Sequence, residues 1–355
     1  MRQGQSLVAT FETVTPIFCA GAEQNGPAEP RAFSFRGNLR WFYRALDYGF
    51  KKSEGAIFGA TSSGQAHASR ISLVVMEPEG GWESKRYHDE LPPKEAMQRG
   101  ECYLGYTFYL KPNYRYAVPP GKKFQVMLVP TWDMPDEKRV LQAWVASLWL
   151  LGTLGGIGSR CRRGFGTCAL VKLEAGDHWP IIAPINAQTP EDWLQKFKEG
   201  FAQMREWFPY GWKKGEFHHQ VLPKDVSPLV SGQGFRDWKD ALRDIGNKYR
   251  QFRNRYRSQK DKIASLGLPL TSRSRGDTLI PKGGEDVSER SASRLWIRVL
   301  KLGEMYYPMV WHCEGPLIPP NTTVVWKKTR QPEKVEEGLR LIYEFFGDLR
   351  KMGYK

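Results

Sequence analysis

The sequence predicts an α+β protein of two tandem ferredoxin-like (RRM-like) domains with helical and loop insertions. Three observations lead there. Hydrophobic patterning over the first 175 residues gives strand, helix, strands, helix, strand, the order of a ferredoxin-like βαββαβ unit. A short block also repeats, with Ala68-Ser69-Arg70-Ile71-Ser72-Leu73-Val74-Val75 aligning to Ala292-Ser293-Arg294-Leu295-Trp296-Ile297-Arg298-Val299. Each copy follows a basic helix, an apolar-Gly step (Phe58-Gly59 and Leu266-Gly267) and a turn-rich segment. Finally, 355 residues with 13% aromatics suffice for two cores. The expected division is a first domain over residues 1–175, a linker with a helix and the second domain's first strand over 176–232, and a second domain over 233–355.

Taken in order, residues 5–18 alternate as a strand and are followed by a Gly, Pro and Asn loop. Ser34 is the expected N-cap of a helix burying Phe35, Leu39, Phe42 and Leu46. Arg36, Arg40 and Arg44 fall four apart on a neighbouring face with no acid between them, so they repel one another and call for something negative. Strands are expected over Ala68–Met76, Tyr103–Leu110 and Lys122–Val129, with an exposed insertion over residues 77–100. Val140–Leu154 reads as a buried helix and Thr167–Leu173 as a strand. A Pro- and Asp-rich stretch over 174–190 precedes a helix over 190–207, and a strand falls before Gly234. Phe235, Trp238, Leu242, Ile245, Tyr249, Phe252 and Tyr256 then keep helical spacing without a miss, which is a packing stripe. Beside it runs a basic strip whose far end, Arg250 to Arg257, has no acid to balance it and is a candidate for RNA. Residues 271–290 are polar enough to be disordered alone. A strand to Leu302, a hairpin partner Met305–His312 and a helix Glu333–Leu349 close the chain.

Function is concentrated in the stretch Gly155 to Gly166. It holds five glycines, three arginines (Arg160, Arg162, Arg163) and no acid. Successive main-chain N–H groups in such turns make anion-binding concavities, and guanidinium groups bind phosphate in bidentate fashion. A P-loop is excluded because no Lys-Ser or Lys-Thr follows the last glycine, and a dinucleotide fingerprint because position 161 is Cys; both motifs also follow a strand, whereas this loop follows a helix. A formal charge of +15 argues for a polyanionic partner, nucleic acid first and an anionic membrane second. No apolar run reaches the length of a membrane span and no signal core opens the chain, so a soluble, cytoplasmic protein is expected. The candidate RNA-binding set is Arg36, Arg40, Arg44, Arg70, Gly155, Gly156, Gly158, Arg160, Arg162, Arg163 and Arg294, the last pairing with Arg70 through the repeat.

Five cysteines, at 19, 102, 161, 168 and 313, form no CxxC pair, so free thiols, no structural metal and no cofactor are expected. His67 is the alternative catalytic candidate, a general base with Tyr43 or Lys172 as partner. Ser291 takes its place in the second copy of the repeat, and no paired carboxylates or nucleophile elbow accompany it. A binding protein is therefore expected, with a metal-independent endoribonuclease and a protein–protein adaptor as alternatives.

Several of these segments resemble the RAMP superfamily of CRISPR proteins: TPIFCAG from Thr15, SFRGNLRWFYRAL from Ser34, the IFG turn at Ile57 before the SRI strand at Ser69, and RGFG at Arg163. With SASRLWIRVLK from Ser291 and YYPMVW from Tyr306, the chain is similar to RAMP subunits of the type III-B Cmr effector complex. The resemblance implies tandem ferredoxin-like domains in a ribonucleoprotein built on a CRISPR guide RNA. It implies a place near the guide's 3′ region, capture of complementary target RNA, and contact with other Cmr subunits. Arg36, Arg40 and Arg44 match the family's basic first helix and Gly155 to Gly166 its loop. The aspartate of the RNA-cleaving subunit has no match here.

Overall fold

A computed structural model describes residues 6–23, 25–62, 65–86, 98–108, 115–131, 136–213, 217–272, 275–283, 288–318, 321–336 and 338–355. The first half runs β1 (Leu7–Thr13), α1 (Ala32–Leu46), α2 (Phe50–Phe58), β2 (Ala60–Ser62), β3 (Gln65–His67), β4 (Ile71–Met76), β5 (Lys85–Arg86), α3 (Gly100–Leu104), β6 (Tyr116–Ala117), β7 (Lys123–Pro130), α4 (Glu137–Thr153) and β8 (Cys168–Ala175). Strands β4-β7-β1-β8 form one antiparallel sheet in that order. In β1 the alternation resolves into Leu7, Ala9, Phe11 and Thr13 buried on one face. There they meet the apolar sides of α1 and α4, whose Phe35, Leu39, Trp144 and Leu148 share the same core. Helix α4 is buried from Val140 onward, as an all-round apolar helix must be.

The second half runs α5 (Pro190–Trp207), β9 (Leu229–Val230), α6 (Trp238–Arg255), α7 (Lys260–Ala264), β10 (Leu270–Ser272), β11 (Asp277–Lys282), β12 (Leu295–Leu302), β13 (Met305–His312), β14 (Thr323–Trp326) and α8 (Arg340–Lys351). Strands β12-β13-β9 form a sheet that the chain's last residues extend, Lys355 N donating to Val230 O and Val230 N to Lys355 O, each at 2.9 Å. In this sheet β12 lies at one edge and the chain's last residues at the other. The repeated block is repeated in atoms as well. Gly59 and Gly267 take φ of 83° and 127°, and a Cβ on either would press on the main-chain N of Ser69 or Ser293, 3.1 and 3.2 Å away. Each serine hydroxyl then accepts from the amide two residues on, Ile71 N at 3.2 Å and Leu295 N at 3.1 Å.

Two expectations need correction. Helix α1 starts two residues before Ser34, with Arg31 at the N-cap; Ser34 Oγ lies inside the first turn, 3.2 Å from Cys19 Sγ. The strand expected over Tyr103–Leu110 is helix to Leu104 and a 3-10 turn over Tyr106–Phe108; residues 109–110 lie outside the described residues. The reason is tertiary: Gly100 and Gly246 bring α3 and α6 main chain to main chain, leaving no room for a Cβ on either. Residues 271–290, polar enough to be disordered alone, are held in context where described: β11 pairs between β10 and β14 and buries Leu279 beside Trp326. At the basic end of α6, Arg257 is exposed and the other three arginines have partners within the chain. Arg250 donates to Gln98 O, Arg253 to the Tyr103 hydroxyl at 3.0 Å, and Arg255 pairs with Asp348.

Within the insertion expected over residues 77–100, positions 87–97 lie outside the described residues. The segment between β8 and α5 lies against the first half, with Trp179 and Ile182 buried and Trp149 Nε1 donating to Ala183 O at 3.1 Å.

Candidate nucleic-acid interface

The loop joining α4 to β8 folds back on its own chain. Ile157 N donates to Gly166 O, Gly166 N to Pro16 O and Ser159 N to Phe18 O, each at 2.8 Å. Its glycines serve these contacts. A Cβ on Gly155 would lie 2.6 Å from the Phe42 ring, one on Gly156 3.0 Å from Gly166 O, and one on Gly158 (φ 81°) would strike Phe18 O. The space beside Gly155, Gly156 and Gly158 is therefore filled by protein.

The loop's arginines do not share one open cleft, which corrects the expectation drawn from their spacing. Arg162 turns inward between two indoles, 5.0 Å over Trp41 and 4.5 Å over Trp296, and donates to Gln220 Oε1 and Ser293 O at 2.5 Å each. Arg163 donates to Leu295 O at 3.0 Å and Leu266 O at 3.2 Å, across the Tyr249 ring. Burial lowers the pKa of both guanidinium groups. Arg294 is equally committed: it is buried, donating to Gly315 O at 3.2 Å and Gly338 O at 2.8 Å. Arg70, its counterpart in the repeat, is exposed ahead of β4. Same sequence position, opposite surroundings.

A residue that sequence reasoning missed completes the inward set. Arg298 of β12 is fully buried and donates to four carbonyls at the end of α4 and the start of β8, those of Leu151 (3.2 Å), Gly152 (2.5 Å), Gly155 and Cys168 (2.6 Å). A cation at a helix C-terminus meets the negative end of the helix dipole. Desolvation pulls its pKa down to about 9, so it is charged at neutral pH. The signal was present as an arginine inside the otherwise apolar run Leu295–Leu300.

Arg160 faces the other way. Its main chain is left-handed (φ 63°), and its guanidinium lies 4.4 Å over the ring of Tyr106, itself 42% exposed. Arg115 Nη1 donates to Ser159 Oγ at 2.8 Å, alongside. Burial lowers the Arg115 pKa first, and repulsion from Arg160 and from exposed Arg290 lowers it further. Three segments distant in sequence thus crowd like charges at one place, which no local pattern could reveal.

Helix α1 contributes a second basic region. Arg40 and Arg44 both pair with Glu54 of α2, Arg40 at 2.5 Å. Burial alone would raise the Glu54 pKa, but the two guanidinium groups outweigh it and hold the carboxyl below its usual range. The face expected to lack acids therefore carries one carboxylate for two arginines, with Arg36 half-buried a turn earlier. The catalytic alternative is not assembled. His67 is exposed on the β2–β3 hairpin, Tyr43 is buried with its hydroxyl on Asp47 and Ser53 at 2.6 Å, and Lys172 pairs with Glu174 on the sheet's far edge. All five cysteines are free, and no three His, Cys, Asp or Glu among the described residues are grouped to hold a metal. No helix among them is long and apolar enough to cross a membrane.

The glycine-rich loop closes the first half of the antiparallel α/β fold, between α4 and β8. The chain belongs to the RAMP superfamily, whose family model matches residues 10–169. More particularly, it is similar to two CRISPR system Cmr subunits of Pyrococcus furiosus. It is 27% identical to Cmr1-1 over 297 residues, 79% of this chain and 78% of that protein, and 30% identical to Cmr1-2 over 188 residues, 46% of this chain and 94% of that one. Among solved structures, the apo crystal structure of Cmr1 from Pyrococcus furiosus superposes with a TM-score of 0.60 at 21% identity, covering 91% of this chain and 94% of that one. A chain of the cryo-EM structure of type III-B Cmr-beta bound to cognate target RNA and AMPPnP gives 0.59 at 12% identity, covering 89% and 96%. At these identities the two structures speak for the fold. The family resemblance expected from the sequence holds.

Proposed function

We propose that this chain is a non-catalytic RNA-binding subunit of a type III-B CRISPR ribonucleoprotein, built from two ferredoxin-like halves and contacting guide RNA near its 3′ end together with complementary target RNA. Other Cmr subunits are its protein partners. One observation carries the reading: Arg115 donates to Ser159 Oγ at 2.8 Å beside Arg160, which lies over Tyr106, and after burial the charges of Arg160 and Arg290 lower the Arg115 pKa further, in a chain already at +15. Like charges so placed repel one another, and a phosphate chain would relieve that repulsion. The likeness to Cmr subunits, and to a Cmr-beta chain in a structure holding target RNA, supports the same reading. Arg36, Arg40, Arg44 and Arg70 extend the basic surface. Gly155, Gly156 and Gly158, together with Arg162, Arg163 and Arg294, act through the fold by holding the loop in place.

Binding of a fluorescent single-stranded RNA, followed by anisotropy across a salt series, tests this. Replacing Arg115, Arg160 and Arg290 together by Gln removes three positive charges from beside the phosphate chain, and log affinity against log salt should flatten by roughly 2, at about 0.7 per charge. An unchanged slope with unchanged affinity contradicts the proposal.

A further inference from the structure

The cluster at Arg160 is more than charge, because one of its arginines is stacked. We infer that the Tyr106–Arg160 pair is a seat for one unpaired base of a single-stranded nucleic acid, with Arg115 and Arg290 taking the flanking phosphates; this rests on the RNA-binding reading above. The pair is built on rigid support. Tyr106 begins the 3-10 turn Tyr106–Phe108, and Phe108 anchors that turn in the core, stacked on Phe18 at 3.6 Å and edge-on to Phe165 at 5.4 Å. Above the ring, Arg160 holds a left-handed main chain at φ 63°, a conformation unfavourable for any residue with a Cβ. Arg163 N donates to Arg160 O at 2.8 Å and closes the turn. The consequence is directional: Arg160 points over Tyr106 while Arg162 and Arg163 point into the protein.

A planar guanidinium laid on a half-exposed ring offers a second flat, polarisable face, and nucleobases stack on such planes as they do on aromatic rings. The occupant must be single-stranded, since bases in a duplex already stack on one another. An acidic peptide would answer the charges of Arg115 and Arg290 but has nothing to place on the stack.

The test uses the whole chain and three probes of equal length: a single-stranded 12-mer RNA, the same strand with its bases removed, and the corresponding duplex. Base stacking predicts that the intact strand binds about tenfold more tightly than the baseless strand. Arg160→Lys keeps the charge and loses the plane; it should bind the intact strand about tenfold more weakly, with the salt slope unchanged and the baseless strand unaffected. Tyr106→Leu should behave alike. Equal affinity of the wild-type chain for intact and baseless strands, or full affinity in Arg160→Lys, overturns the inference and leaves the phosphate reading standing if the slope still responds to the triple Gln variant. Binding of no strand in a salt-dependent manner overturns both. Equally effective competition by a polyglutamate peptide of matched charge also overturns the base seat.

Discussion

Replacing Arg298 by Met removes the clamp that ties β12 to the end of α4. The guanidinium donates to four carbonyls and has no carboxylate partner among the bonds it makes. Leu151 O keeps the amide of Gly155 at 3.1 Å, so three acceptors, on Gly152, Gly155 and Cys168, lose a charged donor. A buried polar group left without its bond costs about 1–3 kcal/mol, and methionine fills most of the vacated volume without replacing any donor. Against this, the variant no longer buries a cation whose Nε makes no bond and whose pKa is pushed to about 9. The net expected loss is about 3 kcal/mol, near the lower end for breaking a buried charged contact. Arg298→Lys, with three donors and no planar fork, should restore about half. Urea unfolding followed by tryptophan fluorescence reads the change directly, because Trp296 and Trp311 lie at this seam and Trp311 Nε1 donates to Leu154 O at 2.9 Å. A loss under about 0.5 kcal/mol for Arg298→Met would refute the assignment of the clamp.

Three further outcomes follow from the same contacts. Burial, then Arg294, drives the His312 pKa down from 6.5 to about 4, between the ring edges of Tyr343 and Phe346. The unfolded chain binds this proton first, so stability should be full above about pH 6.5 and fall toward pH 4 by up to roughly 3 kcal/mol; thermal melts of His312→Gln should show a flatter profile over that window. Gly246→Ala has no room against Gly100 and should lower the melting temperature by several degrees, at a cost of about 2 kcal/mol; a melt matching the wild type would deny the α3–α6 contact. Arg162→Met should destabilise the fold by about 2 kcal/mol in the same urea assay while leaving the salt slope of RNA binding unchanged; a flattened slope would return this arginine to the interface.

Where local pattern and tertiary demand agreed, the sequence was readable. The stripe from Trp238 to Phe252 is buried as its spacing requires, and the repeat around Ser69 and Ser293 proved to be a repeat of hydrogen bonds. The segment at Tyr103 misled because its apolar residues are set by the contact of Gly100 with Gly246 of α6, which is remote in sequence and outweighs strand propensity. The loop misled more usefully. Its glycines and arginines are unusual for a plain turn, but composition cannot say which way a guanidinium points. Arg162 and Arg163 find an indole and carbonyls of the second half, while Arg160, two residues away, is turned outward by a left-handed main chain. Arg115, Arg290 and Tyr106 were invisible because each is ordinary alone, and only folding makes them neighbours.

The division between inward and outward arginines can be tested in one measurement: ultraviolet crosslinking of bound single-stranded RNA, with the attached peptides identified by mass spectrometry. Crosslinks should fall on the peptides holding Tyr106, Arg115, Ser159–Arg160 and Arg290. Crosslinks confined to the hairpin around His67 or to helix α8, with none at these four positions, would contradict the account.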